Sequence, residues 1–290
     1  MKLGMSSYCV LPALKSGELH ILDVPKWVKD HGGEHLELVP YGFTLIDQPE
    51  LADQLRKRAE EEGIELSNYS MPANFVQDTE EEFVAEVNRL KEHVDLLDRM
   101  NIRHMRHDVT AFTLPHEKTL LPYFLNSFDQ IIEGSKQIAD YAAQFGITTT
   151  IENHGFSVQQ SDRVQQVLLA VDRPNFKTTL DIGNFLCVDE DPMVGVKNNL
   201  PYASLVHVKD FYIRPFDEDP GEGAWIKTTH GNFIRGSIFG QGDVEIRKIF
   251  KYIKESGYDD KLTLEFEGME ECLEATRISL NNVRRLWDAV

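Results

Sequence analysis

Cysteine, basic charge and long apolar runs are all scarce in this chain, and each scarcity excludes something. Its three cysteines, Cys9, Cys187 and Cys272, are scattered with no C-x-x-C spacing. That pattern fits neither a disulfide framework nor a structural zinc site, and it suggests a reducing, cytoplasmic setting. No run approaches the roughly 20 apolar residues of a membrane span. After Lys2 the chain mixes Ser6, Ser7 and Tyr8 with apolar residues and lacks the clean hydrophobic stretch of a secretory leader. Thirty Lys+Arg stand against 48 Asp+Glu, a formal charge of -18. Phosphate binding needs a concentrated basic surface, so nucleic acid is not an expected partner, and the charge serves solubility instead.

What is present is alternation. At 290 residues the chain can bury a large core. Strand-like segments begin at Lys2, His35, Ile64, Ile102, Ile147, Lys177, Ser204 and Leu262, with helix-like segments between them. In 79–100, Phe83, Val87, Leu90, Val94 and Leu97 recur at helical spacing with charged residues between. Residues 49–62, 120–145, 161–171, 244–256 and 270–289 read the same way, and Gly63, Gly146 and Gly257 sit where helix C-caps belong. Eight such repeats with no linker favour one α/β domain over 1–290, a single (β/α)8 TIM barrel rather than a doubly wound sheet.

Four of the strands end in residues suited to a hard cation: TTTIEN with Glu152, FKTTLDIGN with Asp181, SLVHVKD with His207 and KLTLEFEG with Glu265. A closed parallel barrel gathers its carboxy-terminal strand ends around one point, so the four form an expected metal set. Singly, a Glu near a strand end is usually solvated, Asp181 could be a turn residue before Gly183, and His207 a core histidine. Their shared layout carries the reading. Three carboxylates and one imidazole favour one Mn²⁺, Mg²⁺ or Co²⁺, with Zn²⁺ still open on ligand type. Glu267 competes with Glu265 because residues two apart face the same side of a strand; Glu265 lies deeper in the apolar run.

The same period places His154 beside Glu152 and Lys209 beside His207, both facing the barrel mouth. His154 reads as a general acid/base or a hydroxyl-binding group; Lys209 stabilises a developing oxyanion or pairs with a carboxylate. Arg106, His107 and Glu37 are candidates for binding ligand hydroxyls, and Tyr8, Phe43 and Trp225 for an apolar wall. The stretch 213–244 contains Pro215, Pro220 and six glycines, which argues against regular structure and suits a lid over the site. Within it Arg235 and His230 are the residues suited to an anionic or hydroxylated ligand, and Asp243 suits the N-cap of the next helix. Phe233, Ile234, Ile238 and Phe239, if exposed, would instead make the stretch a homo-oligomer contact.

ENHG, TLDIGNF, HVKD with a downstream G-x-G-D, and LEFEG occur in this order. Together they resemble the sugar isomerase/epimerase superfamily with a xylose-isomerase-like TIM barrel, which includes ketose 3-epimerases, inosose dehydratases and endonuclease IV. The motifs lie between Glu152 and Gly268, while strand and helix order agree throughout. The resemblance implies one divalent metal on Glu152, Asp181, His207 and Glu265, with Glu265 at the family position. In the ketose epimerase branch it also implies that the two glutamates exchange protons with the substrate carbon. Two departures stand out: Asn184 replaces a His found in some members three residues after the Asp, and the extra ligands and basic track of endonuclease IV are missing. The expected function is therefore isomerisation or epimerisation of a small sugar or polyol by proton abstraction beside a carbonyl, through an enediolate on the metal. The alternatives are a lyase acting on a keto-sugar or inosose and a non-catalytic sugar-binding or scaffold subunit.

Overall fold

The computed structural model describes residues 1–112 and 114–290. Its strands are β1 (Lys2–Ser6), β2 (His35–Leu38), β3 (Glu65–Met71), β4 (His104–His107), β5 (Thr148–Glu152), β6 (Phe176–Asp181), β7 (Ala203–Val208), β8 (Phe211–Arg214), β9 (Ile226–Lys227), β10 (Phe233–Gly236) and β11 (Lys261–Leu264). The helices are α1 (Leu11–Ser16), α2 (Val24–Asp30), α3 (Pro49–Glu62), α4 (Glu80–Arg99), α5 (Leu121–Ala143), α6 (Ser161–Val171), α7 (Pro192–Asn199), α8 (Ile246–Glu255) and α9 (Cys272–Asp288). Eight strands close a parallel barrel in the order β1-β11-β7-β6-β5-β4-β3-β2, surrounded by the helices. This is a (β/α)8 TIM barrel.

Local chemistry explains the helix limits. Thr79 caps α4 in a reciprocal capping box with Glu82, and the helix buries the five predicted apolar residues against the strands. Gly63 ends α3 with a left-handed φ of 72°, a conformation a side chain disfavours. α1, α2 and α7 were not among the sequence-predicted helices; they are 6, 7 and 8 residues long, too short for a clear apolar period. No helix of the described residues is long and apolar enough to cross a membrane.

The stretch 213–244 departs from expectation. Its glycines do not prevent regular structure: β8, β10 and β9 form a three-stranded antiparallel sheet, Ile213 opposite Ile234 and Ile226 opposite Ile234 on the other edge. Gly236 is where this sheet meets the chain after β11, since a Cβ there would lie 2.5 Å from the Glu267 carbonyl oxygen. Asp243 does not cap α8, whose N-cap is Glu245; its carboxylate accepts the Ile213 N–H at 2.8 Å and so ties the excursion to itself. Asp210 gathers the return, accepting the N–H groups of Gly240 and Gly242, both at 2.9 Å. Of the four residues offered as an oligomer contact, Ile234, Ile238 and Phe239 are buried, Phe239 stacked on Phe250, and Phe233 is half-buried.

Candidate metal centre

The barrel's inward positions are unusually polar toward the carboxy-terminal end. Glu37, Arg106, Glu152, Asp181 and His207 are all buried there, each on a strand whose alternate residues face the helices. One ligand atom from each of Glu152, Asp181, His207 and Glu265 lies within 4.8 Å of the others. Neighbours set how each atom is aimed. Asn153 pins the ends of β5 and β6 together, donating to the Asp181 carbonyl and accepting the Asp181 N–H, both at 2.9 Å. Asp181 Oδ1 accepts the N–H groups of Gly183 at 2.7 Å and Asn184 at 2.8 Å. Its Oδ2 is left buried without a hydrogen bond.

His207 is aimed the same way. Its Nε2 lies 2.8 Å from Glu37 Oε2, which also accepts from Asn68 Nδ2 at 2.7 Å. Its Nδ1 stands 3.3 Å from Glu152 Oε1 and 3.5 Å from Glu265 Oε1, buried and without a hydrogen bond. Orphaned buried polar atoms are costly in a folded protein. Two of them converging inside a carboxylate cluster fit a divalent cation, which would satisfy both at once. The carboxylate–imidazole pair beneath it is the arrangement that fixes the tautomer of metal-ligating histidines.

Two buried cations hold the rest of the charge. Lys209 Nζ is 2.7 Å from Glu265 Oε2, 3.0 Å from Glu267 Oε1 and 3.5 Å from Asp181 Oδ2. Arg106 Nε is 2.7 Å from Glu152 Oε2, and its Nη2 is 2.9 Å from Asp108 Oδ1. Burial pushes the Glu152 carboxyl up, but Arg106 and His207 hold it well below the usual carboxylate range. Asp181 goes the other way: burial raises it to about 6 against the pull of Lys209, with Glu152 and Glu265 adding to the rise. Burial lowers His207, yet Glu37, Glu265 and Glu152 hold its imidazole well above its ordinary value. The surrounding carboxylates thus favour the protonated form of His207, which a bound cation would replace.

Above the cluster opens a cavity of about 540 Å³ lined in part by Arg106, His154, Asn184, Lys209, Glu265 and Glu267. The family pattern of xylose isomerase-like TIM barrels matches residues 25–286. The chain belongs to this family. Inosose dehydratases from Lacticaseibacillus casei and Clostridium perfringens strain 13 are each 23% identical over 154 residues, or 50% of this chain and 49% and 50% of theirs. The matched region thus spans about half the length of these curated relatives. Among solved structures, 3-keto-D-glucoside 4-epimerase from E. coli superposes with a TM-score of 0.73 at 14% identity, over 98% of this chain and 99% of that one. The probable 3-DHS dehydratase from Bacillus anthracis gives 0.72 at 16% identity, over 98% and 99%. D-psicose 3-epimerase from Clostridium cellulolyticum H10 gives 0.73 at 13%, over 99% of both chains. At these identities the likeness to the solved structures concerns the fold.

Within this xylose isomerase-like barrel the predicted residues separate. His154 lines the cavity, with Nδ1 2.9 Å from Asp108 Oδ1 and its ring stacked on Phe112 at 4.7 Å. His107 does not line it: one residue after inward-facing Arg106, it turns to the helix side, fully buried 5.6 Å from the Phe75 ring. Glu37 is not a surface for hydroxyls but the partner of His207 Nε2. Glu267 lines the cavity outside the four-atom cluster. Arg235 and His230 are not among the lining residues: the Arg235 guanidinium lies between the Tyr212 and Trp225 rings at 5.1 and 5.0 Å, and His230 Nδ1 is 3.0 Å from Asp189 Oδ2. Tyr8 contributes to the wall, whereas Phe43 packs on the core and Trp225 on Arg235. Asn184 occupies the cluster's edge, donating to Glu152 Oε1 at 3.0 Å and accepting from Lys209 Nζ at 3.3 Å. Asp108, Phe112 and Tyr41 were missed, because each lies on a loop where strand alternation has lapsed.

Proposed function

We propose that this protein is a divalent-metal-dependent isomerase or epimerase of a sugar or polyol ketone. The observation that carries the reading is the convergence of donor atoms from four residues within 4.8 Å, where His207 Nδ1 and Asp181 Oδ2 are buried without a hydrogen bond. Glu152, Asp181, His207 and Glu265 would hold the ion, and the oxygen-rich set favours Mn²⁺ or Mg²⁺. Bound there, the ion supplies Lewis-acid polarisation of a carbonyl and a neighbouring hydroxyl.

The chain's own residues do the rest. Glu152 ends β5 and Glu265 directly follows β11, so one carboxylate removes the proton beside the carbonyl and the other returns it from its own side. Arg106 keeps Glu152 ionised, ready to accept. Lys209, 2.7 Å from Glu265, holds that carboxylate in place and presents positive charge to a developing oxyanion. His154, positioned by Asp108, faces substrate hydroxyls. Ile226 closes part of the cavity wall, which supports the excursion as a rim over the site.

A second reading has specific support. The curated relatives are inosose dehydratases, and loss of a β-hydroxyl from the same enediolate-type intermediate would make this chain a lyase, with His154 as the acid for the leaving hydroxyl. A panel of ketoses and keto-inositols incubated with metal-loaded protein in D₂O separates the two. Deuterium in a product epimer or isomer is expected. Loss of water with no epimer would favour the lyase, and no deuterium uptake from any panel member would sink both.

A further inference from the structure

The cavity is polar at its floor and apolar at its mouth. Glu152 and Lys209, carried by strand ends, are 7% and 2% exposed, whereas Tyr41, Phe112 and Ile226 are 43%, 53% and 43% exposed. These three come from separate segments, the loops after β2 and β4 and strand β9 of the excursion, and all line the same cavity. Single exposed apolar residues need no explanation, but a ring of them around one cavity marks a binding surface. Two are already oriented: Phe112 lies flat on His154, 13° from parallel, and Tyr41 meets Tyr8 edge-on at 6.2 Å. A monosaccharide is at the small end of what a cavity of about 540 Å³ accommodates. Once seated on the polar floor it leaves the apolar mouth unused.

The charge of the lining adds a second, independent constraint. Four lining carboxylates, Asp108, Glu152, Glu265 and Glu267, face two lining cations, Arg106 and Lys209. The difference is two negative charges, and Asp181 of the proposed ligand set adds a third, so one divalent ion leaves no positive charge to spare for an anion. Both cations are already held at 2.7–3.0 Å by those carboxylates. A phosphoryl group brings about −1.5 to −2 charges and needs a free Arg, Lys or helix N-terminus to meet it. Among the described lining residues no uncommitted cation offers this.

We infer that the substrate is an uncharged glycoside or similarly substituted polyol: an unphosphorylated sugar ring on the polar floor, with an apolar ring-sized substituent against Tyr41, Phe112 and Ile226. The inference rests on the sugar chemistry proposed for this site and narrows it to a substrate class. The sugar's hydroxyls exchange their water for Asp108, His154 and Glu267, and the substituent covers apolar surface that is otherwise wet.

Calorimetric titration of Mn²⁺-loaded protein tests this with matched triplets of glucose, galactose and xylose, each as the free sugar, the phenyl glycoside and a phosphate ester. At least one phenyl glycoside is expected to bind about tenfold or more tightly than its free sugar. No phosphate ester is expected to exceed its parent. Ile226→Ala, at a half-exposed position on β9, should weaken the glycoside about tenfold and move the free sugar less than about twofold, with an unchanged melting curve. A phosphate ester that binds best overturns the inference. So does the absence of any gain for every phenyl glycoside, or an equal loss for glycoside and free sugar in the variant. Deuterium uptake from unsubstituted ketoses alongside such a failure would leave the isomerase reading standing. Glycoside binding with no deuterium uptake would do the reverse.

Discussion

The strand ends of the barrel and the excursion over 213–244 carry the same kinds of side chain, yet the structure uses them differently. At the strand ends, alternation and a closed barrel leave a charged residue one direction to point, so Glu152, Asp181, His207 and Glu265 meet at the axis. In the excursion, Arg235 and His230 had equal chemical claim to a ligand, but the antiparallel sheet hands Arg235 to Tyr212 and Trp225, and Asp189 takes His230. A residue's chemistry nominates it for a site; the rigidity of the element that carries it decides whether it arrives.

The sharpest way to break this contrast is to remove a strand-end carboxylate. Glu152→Gln or Glu265→Gln is expected to lower kcat/KM about 10²–10⁴-fold, the range for a lost general acid or base. Circular dichroism should be unchanged. Next in size is Glu37→Gln, which leaves all four proposed ligands intact but loosens the hold on His207 Nε2. Metal affinity should fall about tenfold, at the low end for outer-shell partners, as read by competition with a chelator.

Protons sharpen the same comparison. Asp181, raised to about 6 in the metal-free protein, must ionise and His207 must lose its proton before a cation is bound. Metal affinity is therefore expected to climb with pH through 6 and further above it, with net proton release on binding. For folding the sign is opposite. Asp181's folded value lies above its unfolded value of 3.8, so its contribution is fully present below 3.8 and is lost as pH rises through about 6. Metal-free protein should lose stability across that window where metal-loaded protein does not; thermal melts of the two forms from pH 4 to 8 check it. The smallest effect is expected at Arg235→Ala: about 0.5–1 kcal/mol of stability from the lost ring contacts, with kcat/KM within about threefold.

Much of the barrel and its four donors was legible because period two and the strand-helix rhythm are local signals that this topology preserves. Helix α4 shows this at the level of single residues, from the Thr79 cap to its buried apolar stripe. What stayed hidden depends on partners distant in sequence. Glu37 acquires its role from His207, 170 residues away, and Asp210 acts on glycines 30 and 32 residues on. His107 was misplaced by reading two neighbours as facing the same way, which the pleat forbids. The glycines of the excursion suggested irregularity, although β8 and β10 pair across them, with Gly236 serving close packing.

The most direct test of the central claim is a Mn²⁺ titration of metal-stripped protein followed by electron paramagnetic resonance, run beside His207→Ala. The account predicts one ion per chain, bound with loss of the free-ion signal, and a large loss of affinity in the variant. Stoichiometric binding that survives loss of His207, or no binding by the parent chain at neutral pH, would contradict it.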